Sequence, residues 1–336
     1  MLPYHPFRDN ISSINFDKSA ACRDILLLDK TTRIEGLCSE AVFMEDIVKD
    51  NFSPVATDFW FTHAPNSTKY DVLKLVIHPE RPLNDLDYLL LDKWVDAPEV
   101  GKTGIVYFDA SKNEFWVFPH SRGSHYDQLL GKGVQWPLPG DGQMAKKEEI
   151  IREHTIDACD FLDARGLLRE NAIKRTFANC FLTKRGHWDV DAFTVVGSTL
   201  IAFEVKHKYP AKGKKNGGPK EPFYGINTGQ KALFDSLEGM GIKGIYAILK
   251  KPVSERGKSA IEQLTKPDYI SKTLWVYGRL DSANFRAAPL LAPKYTNLYA
   301  SGNIEYIPVP CSAFSYLKHL WTEKSGVRDM LLEGLV

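Results

Sequence analysis

The sequence predicts an α/β protein, with a strand-rich α+β region at residues 1–140 followed by an α/β sandwich with a mixed central sheet at 141–336. Three observations predict it. Short runs of β-branched and aromatic residues recur in the first region, as strands require. The stretch Trp136-Pro-Leu-Pro-Gly-Asp-Gly142 is dense in helix breakers and marks a boundary. Beyond it the segments run helix, three strands, helix, strand, so that a crossover brings a later strand beside earlier ones. A chain of 336 residues also favours more than one core.

Taken in order, Asp71–His78 and Gly104–Asp109 are strand-like, and Glu114–Pro119 follows the latter across Ala110-Ser-Lys-Asn113 as a hairpin. Val100-Gly-Lys-Thr103 is not a phosphate loop, because position 96, where the first glycine belongs, is Asp. Lys146–Ala164 carries Ile150, Ile151, Thr155, Ala158, Cys159 and Leu162 at helical spacing, and Gly166 closes it. Three strand-like segments follow, Ile173–Leu182, Trp188–Val196 and Thr199–Lys206, the last two joined by a Gly197-Ser198 turn. A Lys/Gly/Pro-rich loop, 208–222, leads to a helix over Gly229–Glu238 and an apolar strand over Gly244–Leu249. Ser259–Leu264 reads as helix, and Thr273–Tyr277 and Ile304–Val309 as strands. A closing helix is expected to share Phe314, Leu317, Leu320 and Trp321 on one face.

Composition narrows the class. The 43 basic and 42 acidic residues give a net charge of +1, so any nucleic-acid contact must come from a local patch. No apolar run approaches the roughly 20 residues of a membrane helix. The start MLPYHPFRDN lacks the basic flank and apolar stretch of a secretory signal, so a cytoplasmic protein is expected. Cys22, Cys38, Cys159, Cys180 and Cys311 are odd in number, scattered and without a CxxC pair, which points to reduced, packed thiols.

The chemistry concentrates in Gly186–Lys206. Asp189 and Asp191 are two apart and so share one face of a strand, as do Glu204 and Lys206 on the next strand. Folding about Gly197-Ser198 pairs the two strands and gathers three acids and a lysine. Bare carboxylates at close range repel, and a divalent ion such as Mg²⁺ resolves that conflict by taking one or two of them with substrate phosphate. Such an ion can polarise a phosphodiester and generate the attacking hydroxide, while Lys206 orients the water and offsets charge in the transition state. A helix before the first strand commonly supplies another acidic ligand. Glu153 is the choice and Glu149, one turn away, the alternative; both also suit a solvated helix face. An acid-any-Lys triplet is a weak signal by itself; the sequence holds one, at Glu204, and its weight comes from context, since it ends an apolar run after a turn.

Over about Lys146–Leu249 this arrangement resembles the PD-(D/E)xK nuclease superfamily, the restriction-endonuclease-like fold. Asp191 matches the metal-binding Asp, Glu204 the acid of the ExK and Lys206 its lysine. The thirteen residues from Asp191 to Glu204 are similar to the spacing in archaeal Holliday-junction resolvases. Asp189 matches an extra acid that some members carry, and Val190 stands where others have Pro. Gly229-Gln-Lys-Ala-Leu233 before an apolar strand is similar to the family's Gln-bearing helix, with Gln230 near water or phosphate. The resemblance implies a Mg²⁺- or Mn²⁺-dependent endonuclease acting on DNA in restriction, phage defence or repair. Duplex cutters of this kind often act as homodimers.

Lys206–Lys220 holds six lysines in fifteen residues, and Lys208, Lys212, Lys214, Lys215 and Lys220 are the candidate phosphate contacts. The bland alternative is a solvated loop. His187 and His207 flank the acids, although a lone His is usually a packing or surface residue. Two other readings are carried: a non-catalytic nucleic-acid-binding or scaffold protein on the same fold, and an RNA-directed nuclease. Trp60, Trp94, Trp116 and Trp136 are expected mostly in the core, with one or two free to stack on a base.

Overall fold

The computed structural model describes residues 14–27, 31–63, 68–78, 80, 83–123, 134–135, 153–182, 186–211, 221–251, 260–265, 274–281, 306–317, 326–333 and 335. The chain is mixed α/β and forms two compact units, residues 1–41 with 56–190, and residues 42–55 with 191–336. The division differs from a boundary at residue 140. The helices and strand of 153–190 belong to the first unit, while a short early segment, 42–55, belongs to the second.

The described helices are α1 (Ser19–Leu27), α2 (Thr31–Phe43), α3 (Lys49–Asn51), α4 (Asp85–Val95), α5 (Glu153–Ala164), α6 (Leu168–Phe181), α7 (Thr228–Gly239), α8 (Ala260–Thr265) and α9 (Val327–Leu332), with a π turn at Met44–Val48. The strands are β1 (Val55–Ala56), β2 (Phe59–His63), β3 (Tyr70–Val76), β4 (Val100–Asp109), β5 (Glu114–Pro119), β6 (Val134–Gln135) and β7 (Gly186–Val190). They continue with β8 (Ala192–Val196), β9 (Thr199–Lys208), β10 (Phe223–Asn227), β11 (Ile242–Lys250), β12 (Leu274–Arg279), β13 (Tyr306–Pro310) and β14 (Ser315–Leu317).

In the first unit six strands run in the order β6-β5-β4-β3-β2-β7. Only β3 and β4 are parallel, and α4 is their crossover, as parallel neighbours require. Asn84 caps α4 through a capping box with Asp87. Alternation along β2 sends Phe59 and Phe61 onto Trp94 of α4, and Trp60 onto Phe177 of α6. Trp60 and Trp94 are therefore core residues. Of residues 173–182, expected as a strand, 173–181 belong to α6 and Leu182 is its C-cap. Ile173, Thr176 and Phe177 look strand-forming singly, yet Leu168, Ala172, Ile173, Thr176 and Phe177 are buried at helical spacing, and Thr176 Oγ1 donates to Ala172 O.

In the second unit the order is β1-β8-β9-β11-β12-β14, with β9 and β11 parallel and the other registered pairs antiparallel. β8 and β9 turn at Gly197, whose φ of 60° suits glycine. Helix α7 is the crossover into β11 and packs close. A Cβ at Gly244 would sit 2.7 Å from Phe234 Cδ1 and 2.8 Å from Leu280 Cβ. On the opposite face Phe203 meets Phe43 and Phe52, so the unit is a helix–sheet–helix sandwich. β10 and β13 form a separate two-stranded sheet. The closing helix expected at Phe314–Trp321 is overturned in its described part: Ser315–Leu317 pairs with β12 as β14. Leu317 is buried there while Ser315 and Tyr316 are exposed. No described helix is long and apolar enough to cross a membrane.

Candidate active site

The second unit's sheet brings Asp191 to Glu204. Register pairs Ala192 with Phe203, so Asp191, one residue earlier, stands level with Glu204. The Asp191 carboxylate bends back onto the sheet: its Oδ2 accepts from the backbone N–H of Val205. Glu204, Lys206 and Lys208 alternate onto one face of β9, the face that also carries Ala202 under α7. Glu204 is 1% exposed and Asp191 7%. Acids this enclosed persist only with partners. Glu204 Oε1 receives two, the Lys206 ammonium and the side-chain amide of Gln230. Lys206 is 33% exposed, so the cluster opens to solvent at its cationic end.

Gln230 reaches Glu204 because Asn227 caps α7. The Asn227 side chain accepts from Gly229 N at 2.8 Å, fixing the first turn that carries Gln230. Across the parallel pair, Tyr246 of β11 is the register partner of Glu204 and fully buried. Burial raises its hydroxyl pKa above the ordinary range, with Glu204 and Asp191 adding to the effect and Lys206 opposing it. Tyr246 therefore stays a neutral phenol, and its Oη accepts from Lys208 Nζ at 2.7 Å.

The residues expected in the site are not all brought together. Asp191, Glu204, Lys206 and Gln230 are. Asp189 is not on the same strand as Asp191: residues 188–196 split into β7 and β8, in different sheets. There Asp189 pairs in register with Trp60 and is exposed. A strand cannot alternate through the Val190–Asp191 step when the chain changes sheet there, which is why the two-residue spacing misled. Glu153 begins α5 in the first unit. Glu149, Lys212, Lys214, Lys215 and Lys220 lie outside the described residues. Lys208 is not part of a free loop but the last residue of β9, half-buried, with Gly225 O and Tyr246 Oη as acceptors. His187 packs near Trp60 in the first unit. His207 faces away from Glu204 and meets Gln263 at 3.0 Å; burial, aided by the Lys251 charge, pushes its pKa down to about 3.

Tyr246 and β10 went unread in the sequence. A tyrosine inside Gly244–Leu249, an otherwise apolar run, was the available signal, because a buried phenol needs a hydrogen-bond partner.

Asp191 and Glu204 offer carboxylate oxygens, the donors that Mg²⁺ and Mn²⁺ take. Among the described residues no group of three or more His, Cys, Asp and Glu gathers. No family model, no curated protein and no solved structure matches the chain.

Proposed function

We propose that the second unit is a metal-dependent nuclease of the PD-(D/E)xK, restriction-endonuclease-like kind that hydrolyses phosphodiester bonds of DNA. The observation that carries the reading is Asp191 held on Val205 N–H, one residue before the Ala192–Phe203 pair and so beside Glu204, with Lys206 bound to Glu204 and partly open to solvent. A parallel β9–β11 pair crossed by a Gln-bearing helix supports the same fold.

Asp191 and Glu204 would hold a Mg²⁺ or Mn²⁺ ion, which when bound supplies a Lewis acid for the phosphoryl oxygen and a more acidic water. The chain's own residues do the rest. Lys206 presents its ammonium at the open end, where it orients the attacking water and balances charge gathering on the phosphoryl oxygens. Gln230 holds Glu204 Oε1 in place, so the carboxylate does not swing onto the lysine alone. In the reaction water oxygen bonds to phosphorus as the bond to the leaving sugar oxygen breaks, and that oxygen takes up a proton. The lysines between Lys212 and Lys220 follow directly from the site strand and would attract backbone phosphate. The cytoplasm as compartment, and a homodimer on duplex DNA, belong to this same reading.

The test is cleavage of plasmid, linear and branched DNA, and of RNA, with Mg²⁺ or Mn²⁺. Wild type should cut, and Asp191→Ala and Lys206→Ala should each lose about 10²–10³-fold or more. Cutting that survives both substitutions refutes the site. No cutting, and no rise in melting temperature with divalent metal, moves the reading to a non-catalytic binding protein.

A further inference from the structure

Lys208 shares a strand face with Glu204 and Lys206, yet its contacts are of a different kind. Its ammonium donates to Gly225 O on β10 and, at 2.7 Å, to Tyr246 Oη on β11. One side chain from β9 thus ties together three strands. Both acceptors lead back to Glu204. Gly225 lies two residues before Asn227, the cap of α7, and α7 delivers Gln230 to the carboxylate. Tyr246 is the register partner of Glu204.

We propose that Lys208 is a positioning residue: by anchoring Gly225 and Tyr246 it sets where α7 begins, and so where Gln230 holds Glu204. The catalytic consequence rests on the nuclease reading; the positioning itself does not. A phosphate-binding lysine works as a hydrated point charge at the end of a flexible stem. Lys208 instead spends two donors on protein acceptors. Burial, with the like charge of Lys206 adding to it, pushes its pKa down to about 7, as befits an amine committed to the interior. The neighbouring neck is equally built: Ala211 and Phe223 exchange backbone hydrogen bonds at 2.8 and 3.1 Å, which aligns β10 beside the end of β9.

The experiment compares wild type, Lys208→Met and the milder Tyr246→Phe, first by exchange of the Gln230 side-chain amide protons in NMR, then by cleavage kinetics. Gln230 protons should exchange about ten-fold faster or more in Lys208→Met, and less so in Tyr246→Phe. kcat should fall about 10–100-fold in Lys208→Met with KM nearly constant, as for other groups that orient a metal ligand. Lys208→Met combined with Gln230→Ala should cut no more slowly than Gln230→Ala alone, because the two act through one path. Unchanged Gln230 exchange in both variants overturns the proposal. So does a weakened KM and a salt slope reduced by about one with kcat intact, the signature of a phosphate contact. A wild type that cuts nothing refutes the nuclease reading, while Gln230 exchange still decides the role of Lys208.

Discussion

Each unit buries a lysine–carboxylate pair, and the two pairs are opposites. In the first, Lys74 of β3 meets Asp87 of α4 at 2.8 Å, with side chains 8% and 6% exposed. Asp87 also closes the capping box of α4, and Lys74 Nζ donates to Thr57 O. Lys74 Nζ also lies 4.8 Å from the centroid of the Phe59 ring, so the pair is enclosed by backbone, a helix cap and an aromatic face. In the second, Glu204 is 1% exposed but Lys206 33%. A sealed pair organises a crossover; a pair with one open end, beside a second acid, is equipped to meet a charged ligand. Burial of charge alone does not separate the two cases, and the accessibility of the cation does.

The contrast is broken most strongly by exchanging lysines for methionine. On the nuclease reading, Lys206→Met should cost about 10²–10³-fold in cutting, and because Glu204 keeps the Gln230 amide it should destabilise less than the loss of Lys74. Lys74→Met leaves Asp87 buried without its cation and should cost about 3–5 kcal/mol in urea denaturation. If Lys206→Met proved the more destabilising, the open pair would be structural after all. An intermediate effect is expected from Gly244→Ala. The new Cβ must push Phe234 of α7 or Leu280, costing about 1–3 kcal/mol. Because α7 carries Gln230, this variant should also slow cutting, which Lys74→Met in its folded form should not.

The smallest effects are in pH dependence. Lys208 titrates near 7 when folded against 10.5 as its ordinary value. Between these the unfolded chain holds a proton that the folded one lacks, so the Lys208 contribution makes stability rise with pH across that window. Subtracting the urea-midpoint profile of Lys208→Met from that of wild type should reveal this slope. His207 repeats the pattern lower down. Its folded value of about 3 lies below the ordinary 6.5, so its contribution is lost as pH falls from 6.5 toward 3. Wild type should lose more stability than His207→Phe over that interval, by circular dichroism.

The sequence was most legible where one strand stays in one sheet. The β8–β9 hairpin, its Gly197 turn and the apolar run of β11 follow from period-two patterning and turn chemistry, and they carry Asp191, Glu204 and Lys206 with them. The helix expected over Gly229–Glu238 is α7, Thr228–Gly239, although its Asn227 cap went unread. Legibility failed at Ile173–Leu182, where residues common in strands sit at helical intervals under α6's burial. It failed again at Asp189, because nothing local announces that the chain leaves one sheet at Val190 and enters another at Ala192. Lys208 looked like the first of a lysine run; its acceptors, Gly225 and Tyr246, are distant along the chain and invisible to spacing.

The crossing at Val190–Asp191 has a consequence for how the protein comes into being. Val42–Val55 is translated early but belongs with the later unit, where Pro54 O accepts from Thr194 Oγ1. β7 is translated late but closes the sheet of the earlier one. Neither unit is a contiguous fragment, so truncation near residue 140 would strip β7 from its neighbour β2 and Phe203 from Phe43 and Phe52. The sheet of the earlier unit therefore lacks its β7 edge until residues 186–190 have been made.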